Sequence, residues 1–151
     1  MVLFRSIVLA FAVTALSGYT LAADIDFGGH WTIDLRSPQE RKQMIECGVA
    51  EFALKQVGDK IVGTHSFSTP GCGRLNEGGH DTVKGIVINQ TAVLVVTSGR
   101  NGGMVLGKAT RQGNQLHWKT VEELKAGEVE GDSPLILEKG TLLRDNRQTQ
   151  K

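Results

Sequence analysis

The sequence predicts an all-β fold: an eight-stranded antiparallel up-and-down β-barrel with its long loops at one end. Three observations carry this reading. Alternating and β-branched runs bounded by Gly, Asn and Asp recur at the short intervals of an all-β sandwich or barrel. The runs are joined in turn by tight turns (Gly58-Asp59, Asn89-Gln90, Gly113-Asn114) and by long polar segments (36–46, 69–81, 97–103, 120–134). Successive connections of a meander alternate ends, so the long segments gather at one mouth, which is the expected working surface.

The first segment stands outside this fold. Arg5 precedes an apolar run from Ile7 to Leu16, and small residues follow as far as Ala22 and Ala23, which is the layout of a cleaved secretory signal over residues 1–23. The run is too short to span a bilayer and nothing later comes close, so an exported protein, periplasmic or secreted, with no membrane span is expected. A single barrel domain over 24–146 and a disordered polar tail over 147–151 complete the expected organisation. Without Arg5 the 17 basic side chains fall to 16, against 16 acidic ones. That balance leaves no electrostatic footprint for nucleic acid or anionic membranes.

The strands are expected near 29–36, 48–57, 60–68, 82–88, 91–98, 103–110, 115–121 and 135–143. Two short helices are expected in the long connections. One is Ser37-Pro38-Gln39-Glu40-Arg41-Lys42-Gln43, with serine as cap, proline at the first helical position and Glu40 three residues after the cap; the other is Val121 to Lys125. Charges fix the facing. Glu51 and Lys55 must meet water, which turns Phe52, Leu54 and Gln56 inward, and the turn at Gly58-Asp59 sets Ile61, Gly63, His65 and Phe67 opposite them. By the same parity Val83, Gly85 and Val87, then Ala92, Leu94 and Val96, and then Leu116 and Trp118 face inward, with Gly107 and Ala109 opposite the last pair. His30 and His117 fall outside. The inward glycines at 63, 85 and 107 have three readings: room for Trp118 and Trp31, bends in coiled strands, or a cavity. Ile86, Ile88, Val93 and Val95 turn outward with Met104 and Leu106 nearby, a strip on which a homodimer is expected.

Cys47 and Cys72 are the only cysteines. In an exported chain such a pair is expected to form a disulfide, here between the start of the second strand and the longest polar loop. There is no Cys-x-x-Cys or His-x-x-x-His spacing, and no metal or other cofactor is expected.

Gly29-His30-Trp31 opens the first strand and Gly140-Thr141-Leu142-Leu143-Arg144 closes the last. This resembles the calycin pattern of lipocalins and avidins, in which a Gly-x-Trp stacks against an arginine from the final strand at the closed end of the barrel. The resemblance implies that Trp31 is stacked by Arg144 as a structural pair, and it implies a general habit of binding. The avidin-like Gly63-Thr64-His65 carries histidine where that family usually has tyrosine. Ile33 stands where avidins have asparagine, so their ligand chemistry does not carry over.

At the mouth, Arg74, Asn76, Glu77 and His80 come from the longest loop, Arg100 and Asn101 from the next, and Asp132 and Ser133 from the last. Arg74 and Arg100 could clamp a carboxylate or phosphate, or could pair with Glu77, Asp81, Glu130 or Asp132 and knit the loops together. His65, Phe67 and Trp118 are the expected interior lining. Three functions remain open. The first is a non-enzymatic carrier of a small, partly apolar or anionic molecule. The second is an inhibitor or immunity protein that plugs a partner enzyme with its rim loops. The third is an enzyme with a rim site around His80 and Asp81, disfavoured because no nucleophile elbow, phosphate loop or metal spacing accompanies them, so no catalytic residue is assigned. An empty barrel favours the carrier, and a filled barrel with ordered loops favours the inhibitor.

Overall fold

The computed structural model describes residues 25–128 and 135–145. The expected signal segment 1–23, the tail 147–151 and the candidate site residues Asp132 and Ser133 lie outside the described residues. The described elements run β1 (Gly29–Asp34), α1 (Pro38–Lys42), β2 (Val49–Val57), β3 (Lys60–Ser68), β4 (Leu75–Asn76), β5 (Val83–Ile88), β6 (Thr91–Thr97), β7 (Met104–Gln112), β8 (Gln115–Lys125) and β9 (Lys139–Arg144). All pairings are antiparallel. β2 pairs with both β1 and β3, and β1 with β9, so eight strands close into a barrel. β4 is a two-residue addition to the mouth end of β3.

The turns explain the closed end. Gly58, Asn89 and Gly113 each take a left-handed backbone, with φ of 60°, 57° and 58°, the conformation a two-residue hairpin turn demands and that Gly and Asn accept most readily. The long connections lie at the opposite end, as the alternation predicts. In α1 the expected capping box is present. Ser37 accepts from the Glu40 amide, and the Glu40 carboxylate accepts from the Ser37 amide.

The period-two pattern sorts the side chains as expected. Phe52, Leu54, Ile61, His65, Val83, Ala92, Leu94, Val96, Ala109, Leu116 and Trp118 are all buried. The lower barrel is filled by Trp31, Phe52, Ile61, Leu94, Leu116 and Leu142. The glycines divide between two of their three readings. A Cβ on Gly107 would lie 2.1 Å from the Trp118 ring, so this glycine makes room for the indole. On Gly63 and Gly85 it would meet the Ala53 and Val93 carbonyl oxygens at 2.2 and 2.1 Å, so these positions admit the backbone of a neighbouring, strongly coiled strand.

Two expected elements are corrected. Val121–Lys125 is not helical. It extends β8 along β7, with Leu106 opposite Glu122, Val105 opposite Glu123 and Met104 opposite Lys125, across two register shifts. The helix-forming residues here yield to the hydrogen bonds that β7 would otherwise leave open. The last strand begins at Lys139, not at 135. Leu135, Ile136 and Leu137 are all buried in succession, which a barrel strand with one face to water cannot provide. The segment crosses the barrel mouth instead.

The outward strip is mixed in character. Ile86 and Ile88 are exposed, while Val93, Val95, Met104 and Leu106 are half-buried. Lys60 stands opposite Ile86, Lys84 opposite Val95 and Lys108 opposite Val93. Ammonium groups therefore interrupt the apolar face.

Candidate functional site

At the closed end the geometry at Trp31 is explicit. Trp31 is fully buried, its Nε1 donates to the Phe27 carbonyl at 2.9 Å, and the Arg144 guanidinium lies 5.4 Å from its ring centroid. Arg111, which the sequence reading did not single out, lies over the same indole at 5.6 Å. Gly29 has φ of 136°, and a Cβ there would stand 2.8 Å from the Arg144 Nε, so the first residue of the Gly-x-Trp makes way for the guanidinium. This end is structural.

The mouth is built from the long connections. Cys47 and Cys72 form the expected disulfide, supported by a bridge between Cys47 and Pro70 and by the Gly71 amide on the Glu46 carbonyl at 2.9 Å. On the neighbouring connection Arg36 donates to Asp34 and to the Ile45 carbonyl. That guanidinium, through its hydrogen bonds, holds the Asp34 carboxyl at about 2, well below the usual range.

Asn76 joins three pieces of the rim. Its Nδ2 donates to the Leu135 carbonyl at 2.8 Å, and its Oδ1 accepts from the Gly78 and Gly99 amides, each at 3.1 Å. Asn101 is likewise buried, with Oδ1 accepting from the Gly103 amide at 3.1 Å and its carbonyl accepting from the Glu128 amide at 3.0 Å. Both asparagines were expected to meet a ligand or partner; the structure buries them in contacts between loops. Asn76→Ala is expected to cost about 2 kcal/mol, because it strands the buried Leu135 carbonyl together with two partly buried amides. Denaturant unfolding, together with faster exchange of the Gly99 amide, checks this.

The other rim residues divide differently. Glu77, His80 and Arg100 are exposed and available to a partner, as is Asp81. Arg74 is half-buried, and its main chain is tied to Thr69. No hydrogen bond or ion pair links the side chains of Glu77, His80 and Asp81 to one another among the described residues, and all three are exposed. No group of three or more potential metal ligands occurs among the described residues.

The interior residues carry the more informative geometry. His65 is fully buried and stacks on Phe52 at 4.3 Å between centroids, with Trp118 5.0 Å beyond Phe52. His65 Nε2 accepts from the Leu137 amide at 3.2 Å, so its proton sits on Nδ1, which donates to the Glu51 carbonyl at 2.7 Å. Trp118 Nε1 donates to the Leu137 carbonyl at 2.6 Å. The segment 135–138 thus closes the aromatic interior from above. Over it lies a half-open cleft of about 570 Å³, lined by Leu35, Phe67, Val105, Thr120, Ile136 and Leu137. Glu138 and Lys139, both exposed, stand at its border. Of the expected lining residues, Phe67 reaches the cleft, whereas His65 and Trp118 hold its floor.

No family model, curated protein or solved structure matches this chain. The described residues form a closed eight-stranded antiparallel barrel with one added strand and a covered mouth. No helix among the described residues is long and apolar enough to cross a membrane, and the disulfide fits an oxidising compartment.

Proposed function

We propose that this protein is an exported, non-enzymatic binding protein that holds a small molecule with an apolar body at the mouth of its barrel. The observation that carries this reading is the cleft of about 570 Å³, within the size range of small-molecule sites and walled mainly by Leu35, Phe67, Val105, Ile136 and Leu137. Thr120 offers a hydroxyl, and Glu138 with Lys139 offers opposite charges to a polar end of the ligand. The filled lower barrel limits the ligand to the mouth, so the molecule is short rather than a long chain threaded into the core. The Trp31, Arg111 and Arg144 arrangement and Gly29 support a calycin kinship for this fold, as a proposal alongside the function.

The test is titration with 8-anilinonaphthalene-1-sulfonate at neutral pH, with mass spectrometry of small molecules that co-purify from the native compartment. One probe per chain is expected, and Leu35→Glu should weaken its binding at least tenfold while thermal unfolding stays cooperative. Probe binding that ignores Leu35→Glu would reject the cleft.

A second reading has its own support. The disulfide and Asn76 hold the loop that presents Glu77, His80 and Asp81, and a rigid, exposed loop loses little freedom on docking to a protein. The filled barrel is the arrangement expected of an inhibitor and not of a carrier with an empty interior. Under that reading a protein partner co-purifies, and the combined Glu77→Ala and Arg100→Ala variant releases it without changing probe binding.

A further inference from the structure

The wall of the cleft formed by residues 135–138 is held largely by interior side chains, not by strand pairing. Trp118 Nε1 and Asn76 Nδ2 donate to the Leu137 and Leu135 carbonyls, and the Leu137 amide donates to His65 Nε2. Thr120 adds two bonds at the start of β9, its Oγ1 donating to the Leu137 carbonyl at 3.3 Å and its amide to the Glu138 carbonyl at 2.7 Å. Among these holders only His65 can change its role with pH. With both ring nitrogens engaged, one as donor and one as acceptor, the arrangement requires a neutral imidazole.

We propose that His65 is an acid-sensitive latch: a proton on Nε2 turns the acceptor of the Leu137 amide into a donor, releases the segment 135–138 and dismantles the cleft, so that a ligand seated there is set free. This rests on the mouth cleft being the binding site.

The surroundings of His65 leave burial to dominate. β2 contributes the Phe52 ring and the Glu51 carbonyl, while the Glu51 carboxylate lies with Ser66 at 3.4 Å and His30 at 3.6 Å, away from the imidazole. Thr82 Oγ1 accepts from the His65 amide at 2.9 Å, and β8 contributes Trp118 beyond Phe52. On the crossing segment Leu137 meets the ring, and its charged neighbours Glu138 and Lys139 are exposed. Burial pushes the imidazole down to about 4, opposed in part by the Glu51 carbonyl. In the released state the ring meets water and recovers a value near its usual 6.5. The closed state therefore binds fewer protons. Its advantage is complete above 6.5 and declines as pH falls from 6.5 towards 4, by up to about tenfold per pH unit.

Amide exchange measured by NMR on the ligand-free protein tests the latch independently of any ligand. The Leu137 amide should be less protected than that of Leu94 in the barrel wall, and its protection should fall at least tenfold between pH 6.5 and 4.5. In His65→Gln, whose side chain accepts a hydrogen bond without titrating, that fall should vanish. Equal protection of Leu137 and Leu94 at every pH, or an unchanged fall in His65→Gln, overturns the latch. Should this variant not fold, the imidazole titration of the unaltered protein decides. The latch requires His65 to take up its proton as Leu137 opens, and an imidazole that stays neutral until Leu94 also loses protection overturns it. Absence of anilinonaphthalene sulfonate binding at neutral pH, with the exchange behaviour intact, would reject the binding site and leave the acid-driven release standing.

Discussion

Trp31→Ala is expected to destabilise the protein by about 3–5 kcal/mol, the range for deleting a large, fully buried aromatic. Three losses combine. The indole is completely buried in the core cluster, so truncation opens a cavity that the surrounding strands can only partly fill. Its Nε1 bond to the Phe27 carbonyl disappears and leaves a buried acceptor without its donor. Arg111 and Arg144 lose the aromatic face beneath them. Arg144→Ala should cost less, about 1 kcal/mol, because that side chain is partly in water. Denaturant unfolding of both variants checks the ranking. A Trp31→Ala variant as stable as the parent would show that the closed end is not held by this residue.

Removing the disulfide by Cys47→Ser with Cys72→Ser should cost about 3 kcal/mol. The bridge closes a loop with a sequence separation of 25, and chain entropy assigns a closure of that length a little over 3 kcal/mol. Much of the enclosed chain is the β2–β3 hairpin, whose register runs from Val57 opposite Lys60 to Ala50 opposite Phe67 and survives the substitution. The loss should therefore be concentrated at the rim. The Gly71 amide, bonded to the Glu46 carbonyl, should exchange faster by a larger factor than the amides of the hairpin. Uniform acceleration across β2 and β3 would contradict that localisation.

The barrel was legible because its signals are local. Parity placed Phe52, His65, Leu94 and Trp118 inside, and Gly58, Asn89 and Gly113 marked the tight turns. Ser37 and Glu40 defined α1 for the same reason, since their reciprocal bonds lie within a few residues. The covered mouth was not legible in that way. Leu135-Ile136-Leu137 reads as a strand by composition, and only the absence of alternation distinguishes a segment that buries successive residues. Its partners Asn76, Trp118 and His65 are remote in sequence, so neither turn chemistry nor periodicity connects them. Val121–Lys125 failed differently, because intrinsic helix preference was outweighed by pairing to β7. Asn76 and Asn101 sit in polar, glycine-rich loops where composition suggests exposure, yet their amides serve the loops themselves. An asparagine two residues before a glycine, as at Asn76-Glu77-Gly78 and Asn101-Gly102-Gly103, is the one local cue that its side chain turns back on the main chain.

The seam of the barrel is short. β1 and β9 align through Trp31 with Arg144 and Thr32 with Leu143, and one further bond runs from the Asp145 amide to the His30 carbonyl at 2.8 Å. The hairpins elsewhere in the barrel pair along much longer stretches and need only residues close in sequence to meet. The order of folding follows: hairpins first, then their lateral association, with the seam joined after the most remote strands have been brought together. Until β9 is in place, β1 keeps an open edge. In the finished molecule the same line is where the cylinder should first unzip.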